Sequence, residues 1–478
     1  MGITCHWIDN EWKIQKRIIA FRVFDDRHTA ENIFRIIQNI LQEYSLVKKV
    51  FSIGFDNAAA NTASIVELKN ICQPNIGGQF FHIRCVCHVL NLCVQDGLRS
   101  LDVYLQSIKK AIAFLWTHPQ VMKLWAKFCR ENGKKPKRFS RDVPTRWNLT
   151  YELLNKSFSY KELLCMFINN NVPQVNLFPQ NWEVCQKILD LLKIFNDATY
   201  TLSGVYYPTS HLLLIECINI VGAMQENETD LILSESILIM KNKWLNYFKM
   251  IPLINLVACV FDPRIKIDGL TDYLRMYYEC LHIDEFEINI DNIINDVRKN
   301  LGELYNEYKM QYGDVLSSSQ PTCQVQSVAT GKLSMGDRIL LERQKKPRGS
   351  TGAPELDIYL TTAFEFGDSK TGKEFPVIEW WSRHQNTYPI LAKIAKQILA
   401  CPVSTVAVEQ AFSAGGNILD ETCSNMTPES LEVQACVDDW TKAAIRDQEF
   451  KRDDDDDEFV EMTTTGTEGT STPGIGSD

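Results

Sequence analysis

An acidic residue ends a short apolar run in the segment VFSIGFDNAAAN, which covers residues 50–61. The apolar run is typical of a buried strand, and a helical pattern begins near Ala58. Strand ends are where α/β sheets present reactive groups, so the Asp56 carboxylate could bind a divalent metal through oxygen. The alternative is that Asp56 or Asn57 only caps the helix that follows.

A second carboxylate, Glu409, lies in the segment STVAVEQAFSAGG, which is otherwise small and apolar and has a helical pattern. A carboxylate buried in such a helix is costly unless it is paired or bound to a metal. The alternative is a position at the edge of the helix, from which Glu409 reaches solvent or an arginine.

Cysteine and histidine lie close together in the segment RCVCHVLNL, where two residues separate Cys85 from His88. Cysteine and histidine are zinc ligands, but a structural zinc site needs four ligands, usually as two separated pairs. The sequence offers no clean second pair downstream. The alternative is that Cys85 packs at the end of a strand and His88 opens the next helix.

A basic segment, KKPKRFSR, precedes an Arg-Trp pair in PTRWNLT. The charged and aromatic residues of this region are Lys134, Lys135, Lys137, Arg138, Arg141, Arg146 and Trp147. Basic side chains beside an aromatic ring suit a nucleic-acid backbone and an unstacked base. The alternative places Trp147 in the core, pairs Arg146 with a buried acid, and leaves KKPKR as an exposed loop or a nuclear-import signal.

Composition sets the class of protein. With 478 residues and 54.9 kDa, the chain can bury a large core in two or three domains. It has no apolar run long enough to cross a membrane and no pattern of a secretory signal, and its 15 cysteines predict reduced thiols inside the cell. The net charge is −10, but residues 453–458 (DDDDDE) hold six negative charges. Overall acidity therefore does not exclude a local nucleic-acid surface.

The pattern of elements predicts an α/β protein. Residues 3–8 and 11–21 form a predicted hairpin around the turn Asp9-Asn10, although Lys16 interrupts the apolar face of its second strand. A helix capped by Thr29, the strand before Asp56, and a strand at residues 80–85 follow. This order predicts a mixed sheet covered by helices.

The predicted domains follow from shifts in composition. Residues 1–120 form the N-terminal part of the α/β core, and residues 121–312 are almost entirely helical. Residues 313–352 are predicted to be a flexible linker because they are polar and lack periodicity. Residues 353–445 complete the fold with helices, and residues 446–478 are predicted to be a disordered acidic tail.

Five segments, taken in their order along the chain, indicate a protein family more specifically than any one of them alone. They are GFDNAAAN, RCVCHVLNLCVQDGL, PTRWNLTYELL, ELDIYL and STVAVEQAFSAGGNILDETCSNMTPESLEVQACVDDW. This series resembles the hAT superfamily of transposases, in particular its plant RICESLEEPER/DAYSLEEPER group, from residue 3 to about residue 440. The resemblance implies an RNase-H-like core interrupted by a large helical insertion, and a C-terminal block that dimerises. It also implies three acidic residues that bind two divalent metals, Mg²⁺ or Mn²⁺, for DNA strand cleavage and transfer.

Under this resemblance, Asp56 matches the second acid and Glu409 the third, so their carboxylates should meet at one edge of a shared sheet. Cys85 and His88 match a C-x-x-H motif that supports the active site. Arg146 and Trp147 match a pair that handles the flipped, hairpin DNA end. Leu419, Leu431, Val433 and Val437 are expected to form one apolar surface for dimerisation.

The family places its first acid in a T-D-x-W-T-S segment, on a strand that precedes the one beginning here at Ile3, and this sequence starts after it. That strand is central in an RNase-H-like sheet, so without it backbone groups should be left unpaired between the hairpin and the strand ending at Asp56. The family's zinc-binding BED finger is also absent from the sequence given. We therefore expect a nuclear protein that binds DNA and forms a homodimer, with Asp56 and Glu409 as a remnant pair.

Such a protein should be catalytically inactive as given, should bind a divalent metal only if activity remains, and should have no membrane partner. One alternative is an active transposase whose first acid lies in upstream sequence. A second is a protein-interaction module that does not bind DNA.

Overall fold

The computed structural model describes residues 1–140, 142, 147–172, 174–284, 286–318, 354–365, 375–418 and 426–443. The chain forms two compact units, unit 1 (residues 1–101 and 190–450) and unit 2 (residues 102–189 and 451–478). Within the described ranges, the protein has no helix that is both long and apolar enough to cross a membrane.

Unit 1 begins with the predicted hairpin. Strands β1 (Gly2–Ile8) and β2 (Ile14–Phe21) pair in antiparallel orientation. The Asp9 carboxylate shapes the turn because its Oδ1 accepts the backbone N–H groups of residues 11 and 13, at 2.9 Å each. Lys16 is a real member of the buried face of β2, since its Nζ lies 2.8 Å from Oδ1 of Asp439.

Two helices cover one side of the N-terminal strands. Helix α1 (Ala30–Glu43) begins as predicted at Thr29, whose hydroxyl accepts the Asn32 N–H at 3.3 Å. Strand β3 (Ile53–Phe55) leads into helix α2 (Ala59–Cys72), and a short 3₁₀ turn (Asn75–Gly78) leads to strand β4 (His82–Arg84), parallel to β3. The core between α1 and α2 also contacts apolar residues of both sheets: Met1, Ile3, Ile53 and Phe55.

The single mixed sheet predicted from the sequence is not formed by the described residues. Strands β1 and β2 make one two-stranded sheet, and β3 and β4 make another. Both β1 and β3 border a cavity of about 1400 Å³. No described strand lies between them to join the two sheets into one.

The remainder of unit 1 is helical. Helices α3 (Val86–Thr117) and α7 (Pro179–Leu202) each cross the division between the two units. The following helices are α8 (Leu213–Glu226), α9 (Ser234–Phe248), α10 (Leu253–Val260), α11 (Lys266–Cys280) and α12 (Ile290–Ser318). Helix α12 thus extends six residues into the segment 313–352 predicted as a linker, and the rest of that segment lies outside the described residues.

The described residues in the C-terminal part of unit 1 form five helices: α13 (Glu355–Thr361), α14 (Val377–His384), α15 (Pro389–Leu399), α16 (Val406–Ile418) and α17 (Pro428–Lys442). The first two are fixed to the end of α10 by buried hydrogen bonds. The Tyr359 hydroxyl donates to the Val260 carbonyl at 2.8 Å, and the Trp381 indole donates to the Phe261 carbonyl at 2.8 Å. This region therefore helps to build the core of unit 1.

Unit 2 contains helices α4 (Pro119–Glu131), α5 (Trp147–Phe158) and α6 (Lys161–Asn171), together with the adjoining parts of α3 and α7. Trp125, which is 1% exposed, packs against the rings of Phe128, Phe139, Tyr160 and Phe167. This aromatic cluster packs the helices of the unit together, and the described residues here are mostly helical.

Candidate functional site

Asp56 lies at the end of β3 and is exposed to solvent. Its Oδ1 accepts the Ala58 N–H at 3.0 Å and the Asn61 side-chain amide at 2.6 Å. Asp56 therefore closes a turn just before α2, whose N-cap residue is Ala58 and which has no side-chain capping bond. Its Oδ2 makes no hydrogen bond with any described residue and is available to another group.

Cys85 joins the end of β4 to the start of α16. Its backbone N–H donates to the Phe55 carbonyl at 2.8 Å, while its buried Sγ accepts hydrogen bonds from the N–H and hydroxyl of Thr405 at 3.3 and 3.2 Å. The Val86 N–H donates to the Val403 carbonyl at 2.9 Å. Burial raises the pKa of the Cys85 thiol, and the negative charge of Glu409 acts in the same direction.

This environment does not suit a zinc ligand, because zinc binds the thiolate and Cys85 is held as a buried thiol. The arrangement agrees with the packing alternative for Cys85. His88 lies half-buried in the first turn of α3, where it lines the same cavity as Asp56.

Glu409 is exposed on the first turn of α16. This is the helix-edge position in solvent that the sequence offered as the alternative to a buried carboxylate. Ala407 and Ala411 are buried because they occupy another face of the helix. The Glu409 carboxylate makes no ion pair or hydrogen bond with another described residue, whereas its backbone N–H donates to the Thr405 carbonyl at 3.2 Å.

The two predicted carboxylates border the same cavity of unit 1. Asp56, Asn61, His88, Thr405 and Glu409 all line the cavity of about 1400 Å³ between the two sheets. The bonds of Cys85 and Val86 fix the start of α16, which carries Glu409, beside β4, the partner of β3.

The family's two-metal chemistry requires more ligands than this site holds. Among the described residues, no three His, Cys, Asp or Glu side chains cluster closely enough to hold a metal ion. One of the two candidate carboxylates, Asp56, already accepts two hydrogen bonds through Oδ1. The residues present therefore do not by themselves fit a two-metal centre.

The predicted DNA-handling pair is only partly described. Trp147 is 2% exposed and belongs to the core of unit 2, so its predicted role as a stacking surface is corrected. Its position at the first residue of α5 turns the ring inward with the apolar face of that helix. Arg141 and Arg146 lie outside the described residues.

The basic segment is largely exposed. Lys134, Lys135 and Arg138 are exposed, and Lys137 is half-buried. Two of them are held in place by contacts that leave them charged, since Lys134 Nζ donates to the Ser159 carbonyl at 2.6 Å and the Arg138 guanidinium lies 3.7 Å from the centre of the Trp116 ring. Both contacts keep cations at the surface of unit 2.

Sequence reasoning missed three basic residues on helix α4. Lys123, Lys127 and Arg130 are exposed and recur at i, i+4 and i+7, so they share one helix face that leads into the loop at residue 134. The signal was present in the spacing of KLWAKFCR. Together with the exposed cations of the loop, they form the basic cluster of unit 2: Lys123, Lys127, Arg130, Lys134, Lys135 and Arg138.

The predicted dimerisation surface is also revised. Val433, Val437 and Trp440 recur at helical spacing along α17 and are 61%, 48% and 43% exposed, so they form an apolar stripe. Leu431 is half-buried and borders the cavity instead of joining the stripe. Leu419 lies outside the described residues.

Four family models match the chain. The hAT family C-terminal dimerisation region matches residues 355–441, and the hAT-like transposase, RNase-H fold, matches residues 211–308, which are helices α8 to α12 here. The ZBED1 RNase-like domain matches residues 1–79, and the ZBED1 RNase-like helical domain matches residues 83–191.

Alignments with known proteins, which cover nearly the whole of this chain, agree with these matches. The chain is 29% identical over 465 residues to "Putative AC transposase" of Zea mays, covering 93% of this chain and 55% of that protein. It is 26% identical over 470 residues to "Zinc finger BED domain-containing protein RICESLEEPER 1" of Oryza sativa subsp. japonica, covering 92% and 62%. It is 25% identical over 451 residues to the DAYSLEEPER protein of Arabidopsis thaliana, covering 92% and 61%.

The chain thus spans a little over half the length of these relatives. The hAT models match both the helical region and the C-terminal helices, and the relatives align along nearly the whole chain. These comparisons agree on the family. The chain belongs to the hAT family of transposases.

Proposed function

We propose that this chain acts in the nucleus as a transposase-derived protein that binds DNA, forms a homodimer and does not itself cleave DNA. The observation that supports DNA binding is the basic cluster of unit 2. It gathers exposed cations on one helix face and the adjoining loop, in a chain whose net charge is −10. Such a local positive surface is what a phosphate backbone recognises, whatever the net charge of the chain.

The first test removes charge from the basic cluster. The triple variant Lys123→Gln, Lys127→Gln, Lys134→Gln should bind duplex DNA on the order of a hundredfold more weakly, because fewer counterions are released on binding. The slope of log affinity against log salt should fall by about 2.7, at about 0.9 for each lost phosphate contact. Fluorescence anisotropy with a random-sequence duplex, over a series of salt concentrations, measures both quantities.

The matched control changes the same number of lysines in unit 1. Lys13, Lys249 and Lys442 are exposed and pair with exposed carboxylates, so changing them to Gln alters net charge equally. This control should bind DNA as the unaltered protein does. Salt-independent binding, or equal affinity of both triple variants, would instead favour the protein-interaction module that does not bind DNA.

The second test concerns the apolar stripe on α17, which lies in the matched dimerisation region. The double variant Val433→Asp, Val437→Asp should be monomeric at tens of micromolar, where the unaltered protein should sediment as a dimer, because an interface cannot bury two unpaired carboxylates. Val66→Asp, at another exposed valine of unit 1, is the control and should leave the dimer intact. A monomeric unaltered protein under these conditions contradicts the proposal.

A second candidate function is metal-dependent DNA cleavage, and the specific observation in its favour is that Asp56 and Glu409 line one cavity. Two carboxylates should bind Mg²⁺ or Mn²⁺ only weakly, so we expect no nicking of a supercoiled plasmid above background with either metal. The decisive variant is Asp56→Ala. Nicking that requires Mn²⁺ and disappears in this variant would establish an active site and overturn the proposal of an inactive protein.

A further inference from the structure

Six consecutive acidic residues follow helix α17 in the sequence. This acidic run, residues 453–458 (DDDDDE), lies outside the part of the chain that the structure describes. Adjacent like charges repel each other, so the sequence of the run favours an extended backbone. In an extended chain one carboxylate recurs about every 3.4 Å along the backbone. Phosphates follow one another at about the same distance along one strand of DNA, so the two backbones have a similar charge spacing.

The basic cluster of unit 2 lies in a segment whose charge matches that of the acidic run. From residue 119 to residue 140 the sequence has seven Lys or Arg residues and one acidic residue, Glu131, which gives a net charge of +6. The acidic run has a net charge of −6. The one acidic residue neutralises little of the cluster, because Lys127 and Glu131 are 73% and 59% exposed and their charged atoms lie 3.7 Å apart.

The cations of the cluster are spread over a length that the acidic run can cover. Lys123, Lys127 and Arg130 lie along one face of α4, where seven residues of helix span about 10.5 Å. Helix α4 ends at Glu131, and the exposed cations of the loop begin at Lys134. Six residues of extended chain span about 20 Å. The acidic run is therefore long enough to contact the helix face and the start of the loop together.

The loop that carries the other cations is held in place by hydrogen bonds. The Lys135 carbonyl accepts the Tyr160 hydroxyl at 2.7 Å, and the Phe139 carbonyl accepts the Trp116 indole N–H at 2.8 Å. The Arg138 guanidinium lies over the same Trp116 ring. Because these contacts fix the loop before any ligand binds, an anionic chain that binds here has to order few groups of the protein.

We propose that the acidic run binds to the basic cluster of unit 2 and competes with DNA for the same cations. The chain thus carries its own inhibitor of DNA binding, and DNA gains the basic cluster only by displacing the run. Charge complementarity specifies the occupant, because six carboxylates at the spacing of phosphates face a segment with a net charge of +6. Binding of the run requires only the basic cluster, whereas its inhibitory effect rests on the DNA binding proposed above.

Competition of this kind changes how DNA affinity depends on salt. The run displaces counterions from the cluster when it binds, so DNA that replaces the run releases fewer of them. Without the charges of the run, the slope of log affinity against log salt should become steeper. The gain in affinity should be largest at low salt and should shrink as salt screens the contact between the run and the cluster.

The first experiment neutralises the run within the full chain. A sixfold variant changes Asp453, Asp454, Asp455, Asp456 and Asp457 to Asn and Glu458 to Gln. We expect this variant to bind a random-sequence duplex roughly tenfold more tightly than the unaltered protein at about 50 mM salt. At several hundred millimolar salt the two affinities should be nearly equal. Fluorescence anisotropy over a series of salt concentrations measures the affinity and the slope.

The matched control removes six negative charges from unit 1. It changes to Gln or Asn the exposed residues Glu31, Glu67, Glu235, Asp268, Asp291 and Glu303. Both sixfold variants shift the net charge of the chain from −10 to −4, so the control reports the effect of net charge alone. The control should bind DNA nearly as the unaltered protein does. Equal affinities of the two variants, or no gain in the variant of the run, would overturn the proposal.

The second experiment detects the contact in the absence of DNA. A carbodiimide joins a carboxylate to a lysine amine that it contacts, and mass spectrometry of the full chain locates the joined residues. We expect cross-links from residues 453–458 to Lys123, Lys127 or Lys134. These cross-links should exceed those to Lys13, an exposed lysine of unit 1, and should disappear when excess duplex is added.

The cross-links also separate this proposal from the function on which its effect rests. No cross-link between the run and the cluster would overturn the proposal, whatever the DNA affinity. If the cross-links form but neither the unaltered protein nor the variant of the run binds DNA, the binding of the run is confirmed and the proposed function is wrong.

Discussion

Asp439→Ala is expected to destabilise unit 1 by about 3–5 kcal/mol, the cost of leaving a buried charge without its partner. The side chains of Lys16 and Asp439 are 7% and 4% exposed, and their charged atoms lie 2.8 Å apart. The same carboxylate accepts the Ile18 N–H at 2.9 Å through Oδ2. Alanine would therefore remove the carboxylate that contacts both the buried Lys16 ammonium group and the Ile18 backbone N–H.

Urea unfolding, followed by circular dichroism, measures this loss of stability. Asp438→Ala is the matched control, because Asp438 is the neighbouring residue and pairs with Lys442 in solvent, where an ion pair contributes less than about 1 kcal/mol. The double variant Lys16→Met, Asp439→Leu should recover most of the lost stability, since apolar side chains can replace a buried ion pair. Equal effects of Asp438→Ala and Asp439→Ala would contradict the assignment of a buried pair.

Trp147→Ala should destabilise unit 2 by about 3–5 kcal/mol, as expected when a large aromatic side chain is removed from a core. The residue is 2% exposed, so its loss leaves a cavity that the surrounding helices cannot fill without moving. Hydrogen exchange of helices α4 to α6 measures the effect, because these helices belong to unit 2. Trp147→Phe should retain more of the stability, since most of the ring volume remains.

The same variant separates a core role from a DNA-stacking role. At a temperature where Trp147→Ala remains folded, its affinity for duplex DNA should equal that of the unaltered protein. A fully stable variant that binds DNA more weakly would show that the ring contacts nucleic acid, and the assignment of Trp147 to the core would then be wrong.

Much of the local structure could be predicted from the sequence. The hairpin around Asp9-Asn10, the helix that starts at Thr29 and the strand that ends at Asp56 all form where the pattern of residues indicated. The family was also readable, because its motifs occur in order along the chain. The basic face of helix α4 could also have been predicted, because the spacing of Lys123, Lys127 and Arg130 places them on one side of a helix.

Other features depended on residues that are distant in the chain. Lys16 looked like an interruption of an apolar face until the fold placed Asp439, 423 residues away, against it. Glu409 looked buried among apolar neighbours, but the orientation of α16 turns it to solvent. Trp147 was equally compatible with the core and with a stacking surface, and only the packing of α5 decided between them.

The sequence by itself determined which segments are strands and helices, and where they begin, because turns, caps and periodicity act among residues a few positions apart. Only the tertiary structure decided which charges are buried, which edges pair and which remain open. Those outcomes depend on packing between elements hundreds of residues apart, where no local pattern specifies the partner. The two sheets illustrate the difference: each strand was predicted from its own residues, and the family resemblance implied a gap between the hairpin and β3, but only the structure shows the cavity that β1 and β3 both border.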